Sequence, residues 1–371
     1  MPRIAVTLDT GGTVYASYVG GSGGTALTFR LTVATGQLDA TGIALGASLD
    51  LNGATVRDAV GNDAAAALNG VPATGGILID AVAPGVTGVT VPADGLYNAG
   101  DVLTFTVGAS ESVLVDTSGG TPRLVLNIGG VTRYASYVGG SGSGTLVFQY
   151  TVQPGDSDAD GIVVGGSLDL NGGTVRDPAG NAIDPALGSV PAVGVLIDTT
   201  APAASGIVRL DPNPTAAGSV RFTVTFSEDV SGVNAADFAL VGTGSASGTV
   251  GTVTQVDART YTLLVSNVAG AGTLGLNLKA SGTGIVDAAG NAVTGGLTGA
   301  VYTVDRVAPV VGSVGVPANG SYVAGQNLDF TVNFSEAVVV DTGGGTPRIA
   351  VTLDTGGTVY ASYVGGSAAP R

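Results

Sequence analysis

Residues 2–22 read PRIAVTLDTGGTVYASYVGGS, and residues 347–367 repeat the same 21 letters. A diverged copy, TPRLVLNIGGVTRYASYVGGS, fills residues 121–141. Self-similarity of this kind marks a repeat architecture, and other landmarks recur around it in fixed order. An apolar run ending in Asp before a proline turn appears as ILIDAVAP (77–84), VLIDTTAP (195–202) and YTVDRVAP (302–309). Upstream of each lies an Asp-x-x-Gly-Asn turn, at 58–62, 177–181 and 287–291. Downstream of each comes a strand expected to end in Ser-Glu, at Glu111, Glu228 and Glu336. The chain therefore divides into a C-terminal partial unit (1–80), two complete units (81–198 and 199–305) and an N-terminal partial unit (306–371). It starts and stops at the same phase of the repeat, as a piece of a longer tandem array or an overlap of repetitive sequence would.

Between the landmarks lies strand after short strand. VLTFTVG (102–108), SVRFTVTF (219–226), LDFTVNF (328–334), TLVFQYTV (145–152) and ALTFRLTV (26–33) alternate apolar with polar residues, the period of a half-buried β-strand. Gly, Asn, Asp and Pro punctuate the chain at the spacing of sandwiches and barrels. No stretch combines helical caps with apolar residues at helical spacing. Units of this length, all-β, predict tandem immunoglobulin-like sandwiches forming an elongated rod. The Gly-rich GGSGG (20–24) and TGGGTP (342–347) match no nucleotide-binding pattern and read as hairpin loops.

Composition narrows the function. The 371 residues hold 63 Gly and 16 Pro, below the share that marks aperiodic low-complexity sequence, and are 44% hydrophobic but only 11% charged, the balance of a core-forming protein. With no Cys and no His, disulfides, thiolate or imidazole metal ligands and His-based acid–base catalysis are excluded. A net charge of −15 disfavours nucleic acid and anionic lipid and suits divalent cations. No apolar run reaches the length of a membrane span, and MPRIAVTLDTGG does not read as a signal peptide, so an export signal would lie outside these residues.

The order FSEDV (226–230), GTGIVDAAGNAV (282–293), YTVDRVAP (302–309) resembles the bacterial Ig-like repeats of very large secreted adhesins and biofilm-matrix proteins. FTVNFSEAVVVDTGGGTPRIAV (330–351) and LDLNGGTVRDPAGN (168–181) resemble a sister repeat type of such proteins. The resemblance implies an extracellular or cell-surface stalk, with calcium at the junctions between repeats.

The residues themselves also point to the junctions. In a seven-strand sandwich the exit of the second strand, the turn before the last strand and the incoming linker share one end. Asp80, Glu111, Asp177 and Asn181 should therefore converge at one junction, and Asp198, Glu228, Asp229, Asp287 and Asn291 at the next, with Asp305 and Glu336 beginning a third. Carboxylates and amide carbonyls are the ligands Ca²⁺ prefers. The alternative is plain turn chemistry, in which Asp and Asn bond their own backbone. A second candidate is GDSDADGIVV (155–164), where Asp156, Asp158 and Asp160 before Gly161 match the first half of an EF-hand loop. Its twelfth position is Ser167 instead of Glu, so a solvated acidic loop is the competing reading.

The expected function is a non-enzymatic stalk segment of a bacterial surface or biofilm adhesin, stiffened by Ca²⁺ at its junctions. Its partners are neighbouring repeats, with head-to-tail self-association through the half-units as a further expectation. The competing functions are a repeat-borne binding module for a glycan, an ice surface or a host protein, for which the tyrosines of YASYVGG (15–21, 134–140, 360–366) supply aromatic surface, or a spacer on a secreted enzyme.

Overall fold

The strand Val102–Asp116 shows why this sequence makes sheet. Leu103, Phe105 and Val107 are fully buried while Val102, Thr104 and its other alternate neighbours face outward, so the period-2 pattern sorts one face into the core. The computed structural model describes residues 1–191 and 194–366; the last five residues of the partial unit expected at 306–371 lie outside it. The chain is all-β, in predominantly antiparallel sheets, and among the described residues its one helical turn is the short 3-10 segment Ala235–Asp237, capped by Asn234. Among them, no helix is long and apolar enough to cross a membrane.

Contacts divide the chain into two units, Met1–Ala201 with Val286–Ala292, and Pro202–Ile285 with Val293–Arg371. In the first, the main sheet runs in hydrogen-bonded order Val163–Asp169, Arg123–Ile128, Val131–Gly139, Ser143–Thr151, Val102–Asp116, Thr174–Arg176, and Val86–Thr90 also pairs with Val102–Asp116. Ser157–Asp158, Val195–Asp198 and Gly95–Tyr97 form a second sheet, in which the last two strands run parallel. Leu124, Leu126, Leu146 and Phe148 from the main sheet meet Val195 and Ile197 from the second in one core. Full burial of each such side chain contributes about 1.5–3 kcal/mol. Residues 1–80 repeat part of this plan: Thr28–Arg30, Thr13–Gly20, Arg3–Thr7 and Ala44–Asp50 form one sheet over a small core of Val6, Leu8, Ala16 and Ile79.

In the second unit, Ala204–Arg209, Val220–Phe226, Thr260–Ala269 and Ser247–Gln255 form one sheet, and Phe238–Gly242, Ala271–Leu278 and Leu297–Asp305 the other. Phe222 and Tyr302 meet edge to face across their core, 5.1 Å between ring centres. Val311–Gly315 pairs with Thr331–Phe334, and Arg348–Leu353 with Gly357–Ser362.

One expected boundary differs. Val102–Asp116 does not stop at Ser110-Glu111; apolar alternation continues through Val113 and Val115, and a register shift opposite Ser143 and Thr145 absorbs the irregularity. In the second unit the corresponding strand does end, at Phe226, before Glu228.

Candidate functional site

The short strand Thr174–Arg176 runs into a tight turn that closes by Asp177 N–H to Asn181 O at 3.1 Å. Gly180 takes φ +103° there, a backbone conformation that favours glycine. The Asp177 carboxylate is buried inside the turn and accepts from the N–H groups of Gly180 (2.6 Å) and Asn181 (2.8 Å) and from the Asn181 amide (2.7 Å). Burial works against its charge, but these bonds outweigh it and hold its pKa below the usual carboxylate value.

Two more acids join it. Asp80 ends the strand Ile79–Asp80, and Glu111 lies in the interior of Val102–Asp116. Asp80, Glu111 and Asp177 each place a carboxylate oxygen within 4.8 Å of the others. Burial first, and then the charges of Asp177 and Asp80, push the Glu111 pKa up. Among the described residues, the ion pairs lie elsewhere. Three converging carboxylates form an electronegative corner with hard oxygen ligands, the donor set a divalent cation takes. Asn181, expected as a carbonyl ligand, contributes its amide nitrogen as a donor within the turn. Its amide nitrogen faces the Asp177 carboxylate and, at 3.2 Å, the Asp80 backbone carbonyl, two acceptors that require N–H.

The other expected residues distribute as follows. Asp287 and Asn291 repeat the turn: Asp287 is buried, accepts from the Asn291 N–H (2.8 Å) and amide (2.9 Å), and Asn291 reaches the Asp198 carbonyl at 2.9 Å. Asp198 and Asp287 offer oxygens within 4.8 Å of one another. Glu228 belongs to the second unit. Asp229, expected as a ligand, is instead ion-paired with Arg259 at 2.7 Å on an exposed surface, because the guanidinium lies nearest to it. Asp305 bonds the Val307 N–H at 3.2 Å, and Glu336 follows the strand Thr331–Phe334; no acidic group of three forms around them among the described residues.

The acidic loop does not have the form of an EF-hand. Asp156 is buried and accepts from Arg133 (2.8–2.9 Å), the Gln153 N–H (2.9 Å) and the Tyr150 hydroxyl. Burial opposes its charge, yet these donors hold its pKa low, while burial and the bond to Asp156 push Tyr150 up to about 12. Asp158 is buried too and accepts from the N–H groups of Gly129 (2.7 Å), Gly161 (2.8 Å) and Asp160 (3.3 Å). Asp160 faces solvent. Chain donors therefore stand where an ion would, and the three carboxylates do not converge among the acidic groups that could hold a metal. The signal lay inside the sequence: the equivalents of Asp156, Arg133 and Tyr150 in the first copy are Gln37, Val14 and Leu31, so the three change together.

The tyrosines separate into two kinds. Tyr18 and Tyr137 pack edge-on against Phe29 and Phe148. Tyr15, Tyr134 and Tyr360 lie under the guanidinium groups of Arg3, Arg123 and Arg348, 3.8–3.9 Å from ring centre to Cζ. Arg3 and Arg123 are held in place by Asp50 (2.6 Å) and Asp169 (2.8 Å).

No curated protein matches the chain. The second sandwich does match a family model, from the incoming Asp198 to Val304: residues 198–304 match the bacterial Ig-like domain.

Proposed function

We propose that the chain is a non-enzymatic structural segment of a bacterial surface or biofilm adhesin, a stalk of repeats in which Ca²⁺ ties one repeat to the next. The observation that carries this reading is the convergence of Asp80, from the linker leaving residues 1–80, with Glu111 and Asp177 of the following sandwich. Without a cation the three charges repel, and the charges of Asp177 and Asp80 add to burial, the larger cause, in raising the Glu111 pKa. A bound cation would cross-link the linker to the sandwich it enters. The order Asp, Ser-Glu, Asp-x-x-Gly-Asn recurs along the sequence, which suits a device used once per repeat. The match of residues 198–304 to a bacterial Ig-like domain supports the stalk and its extracellular setting. A glycan-stacking role draws less support, since the outer tyrosines are each covered by an arginine.

Calorimetric titration of the 371-residue chain with Ca²⁺ tests the reading. Extracellular modules bind with Kd of roughly 10⁻⁴–10⁻³ M, and that range is expected here. Asp80→Ala should lower the stoichiometry while circular dichroism stays unchanged. Absence of binding heat in the unaltered chain, together with an unchanged melting curve in chelator, would overturn the calcium reading.

A further inference from the structure

Leu-Asn-Gly occurs three times, at 51–53, 68–70 and 170–172, each time within the first unit. An asparagine before glycine can lose its side-chain amide, because the glycine main-chain nitrogen has no Cβ beside it and can attack Cγ. Closing that ring needs the nitrogen on the same side of the Cα–C bond as Cβ. The three tripeptides are identical, so a difference in their reactivity comes from the fold. Two of them are held in the wrong shape. Asn52 and Gly53 have φ +43° and +74°, and Asn171 and Gly172 have +49° and +87°, the two left-handed central residues of a tight hairpin turn. That conformation turns the glycine nitrogen away from Cβ.

Hydrogen bonds lock both turns. Leu51 O accepts from the Ala54 N–H at 2.8 Å, and Leu170 O from the Gly173 N–H at 2.8 Å. The Asn52 N–H bonds Asp50 Oδ1 and the Asn171 N–H bonds Asp169 Oδ1, each at 2.9 Å. The Asn171 amide is tied as well, to Thr121 O at 3.2 Å. Asn69 has none of this, and it does not take the left-handed conformation. The chain is anchored before it by the Leu68 N–H to Ala47 O at 3.0 Å and after it by the Ile77 N–H to Thr74 O at 2.9 Å; among the described residues no hydrogen bond engages 69–73. Asn69 and Gly70 are exposed, and beyond its chain neighbours no atom lies within 4 Å of where a Gly70 Cβ would stand.

We propose that Asn69 is a self-modification site, at which the Gly70 main-chain nitrogen displaces the side-chain amide, while Asn52 and Asn171 are protected by their turns. The nitrogen attacks Cγ and forms an N–Cγ bond; the Cγ–Nδ2 bond breaks, and ammonia leaves with the proton that the nitrogen gave up. Water then opens the cyclic imide. Cleavage of the new N–Cγ bond gives aspartate, and cleavage of the original main-chain bond gives isoaspartate, with an extra methylene in the backbone. Either product adds a carboxylate to a chain of net charge −15. Since no hydrogen bond holds residues 69–73, the sheet pairing on either side stays intact. Asn52 and Asn171 react only from an opened turn, so the population of that open form sets their rate. The complete copy carries Gly188-Ser189 at the place of Asn69-Gly70, so the site marks one copy and records the age of the chain.

The test incubates the full 371-residue chain at mildly alkaline pH, folded and in urea, and then cleaves it after arginine. The three asparagines fall on separate peptides, 31–57, 58–123 and 134–176. Mass spectrometry follows the gain of one mass unit, and fragmentation assigns it to a residue. In the folded chain residue 69 should convert about ten-fold faster than residues 52 and 171, whose turns must open first. In urea the three rates should come together. Gly70→Ser, which installs the residue of the complete copy, should slow residue 69 about ten-fold in both states, since a Cβ then crowds the attacking nitrogen. Residue 52 or 171 converting as fast as residue 69 in the folded chain would overturn the proposal, as would a residue 69 that converts only in urea.

Discussion

Two acid-rich places in the first unit look alike in sequence and differ in the number of donors around them. At Asp156 and Asp158, an arginine, a tyrosine and four backbone N–H groups take up the carboxylate oxygens. Of those four, Gln153 serves Asp156, and Gly129, Gly161 and Asp160 serve Asp158, with Arg133 closing the ion pair. At Asp80, Glu111 and Asp177, donors serve Asp177 well, yet Glu111 is left against two like charges. Counting acids does not separate a structural loop from a cation site; counting the donors that face them does.

The largest expected effect lies in the satisfied loop. Asp156→Ala should destabilise the chain by about 2–3 kcal/mol, because a buried acceptor of three donors is lost and Arg133 and Tyr150 lose their partner. Urea denaturation should give the same loss with calcium and with chelator. Replacing all three residues by those of the first copy, Asp156→Gln, Arg133→Val and Tyr150→Leu, should recover most of it. A calcium-dependent loss would erase the distinction between the two places.

A smaller effect, opposite in character, belongs to Glu111→Gln. At tenfold excess over Kd one calcium site adds RT ln 11, about 1.4 kcal/mol, and this substitution should abolish that gain while leaving the metal-free chain no weaker. The pH dependence follows. Glu111 has a folded pKa above its ordinary 4.5, so the folded state binds the proton more readily, and metal-free stability should rise as pH falls through the raised value toward 4.5. Asp156 runs the other way: its folded pKa is depressed, so its contribution holds above the unfolded carboxylate value and is lost as pH falls through the folded one. Melting curves against pH in chelator, with and without Glu111→Gln, separate the two. The smallest effect is for Asp160→Ala, which faces solvent and should change stability by less than about 0.5 kcal/mol.

Much of the fold was legible because strand periodicity is local. Leu103, Phe105 and Val107 alternate in the sequence and are buried in that alternation. The repeat landmarks likewise placed Asp80, Glu111 and Asp177 at one end, and the three do converge. What stayed hidden depends on partners far along the chain. Nothing in the triplets GLY or VLI says that Gly95–Tyr97 runs parallel to Val195–Ile197. Arg133 lies 23 residues before Asp156, and only its joint replacement with Tyr150 and Asp156 in the first copy betrays the link. An asparagine can accept or donate, and the sequence does not say that the Asn181 amide nitrogen is committed to the Asp177 carboxylate and the Asp80 carbonyl.

The arginine-covered hairpin has a consequence for how such a chain finds its fold. It appears with the same strand register at 3–17, 123–136 and 348–362, the last without further strands bonded beside it among the described residues. Its contacts close short loops, as from Arg348 to Tyr360, whereas the pairing of Asp116 with Thr174 must close one several times longer. Short loops close at little entropic cost and within microseconds. Each repeat can thus set its own register before its distant strands arrive, which keeps nearly identical neighbours on one chain from trading hairpins as they fold.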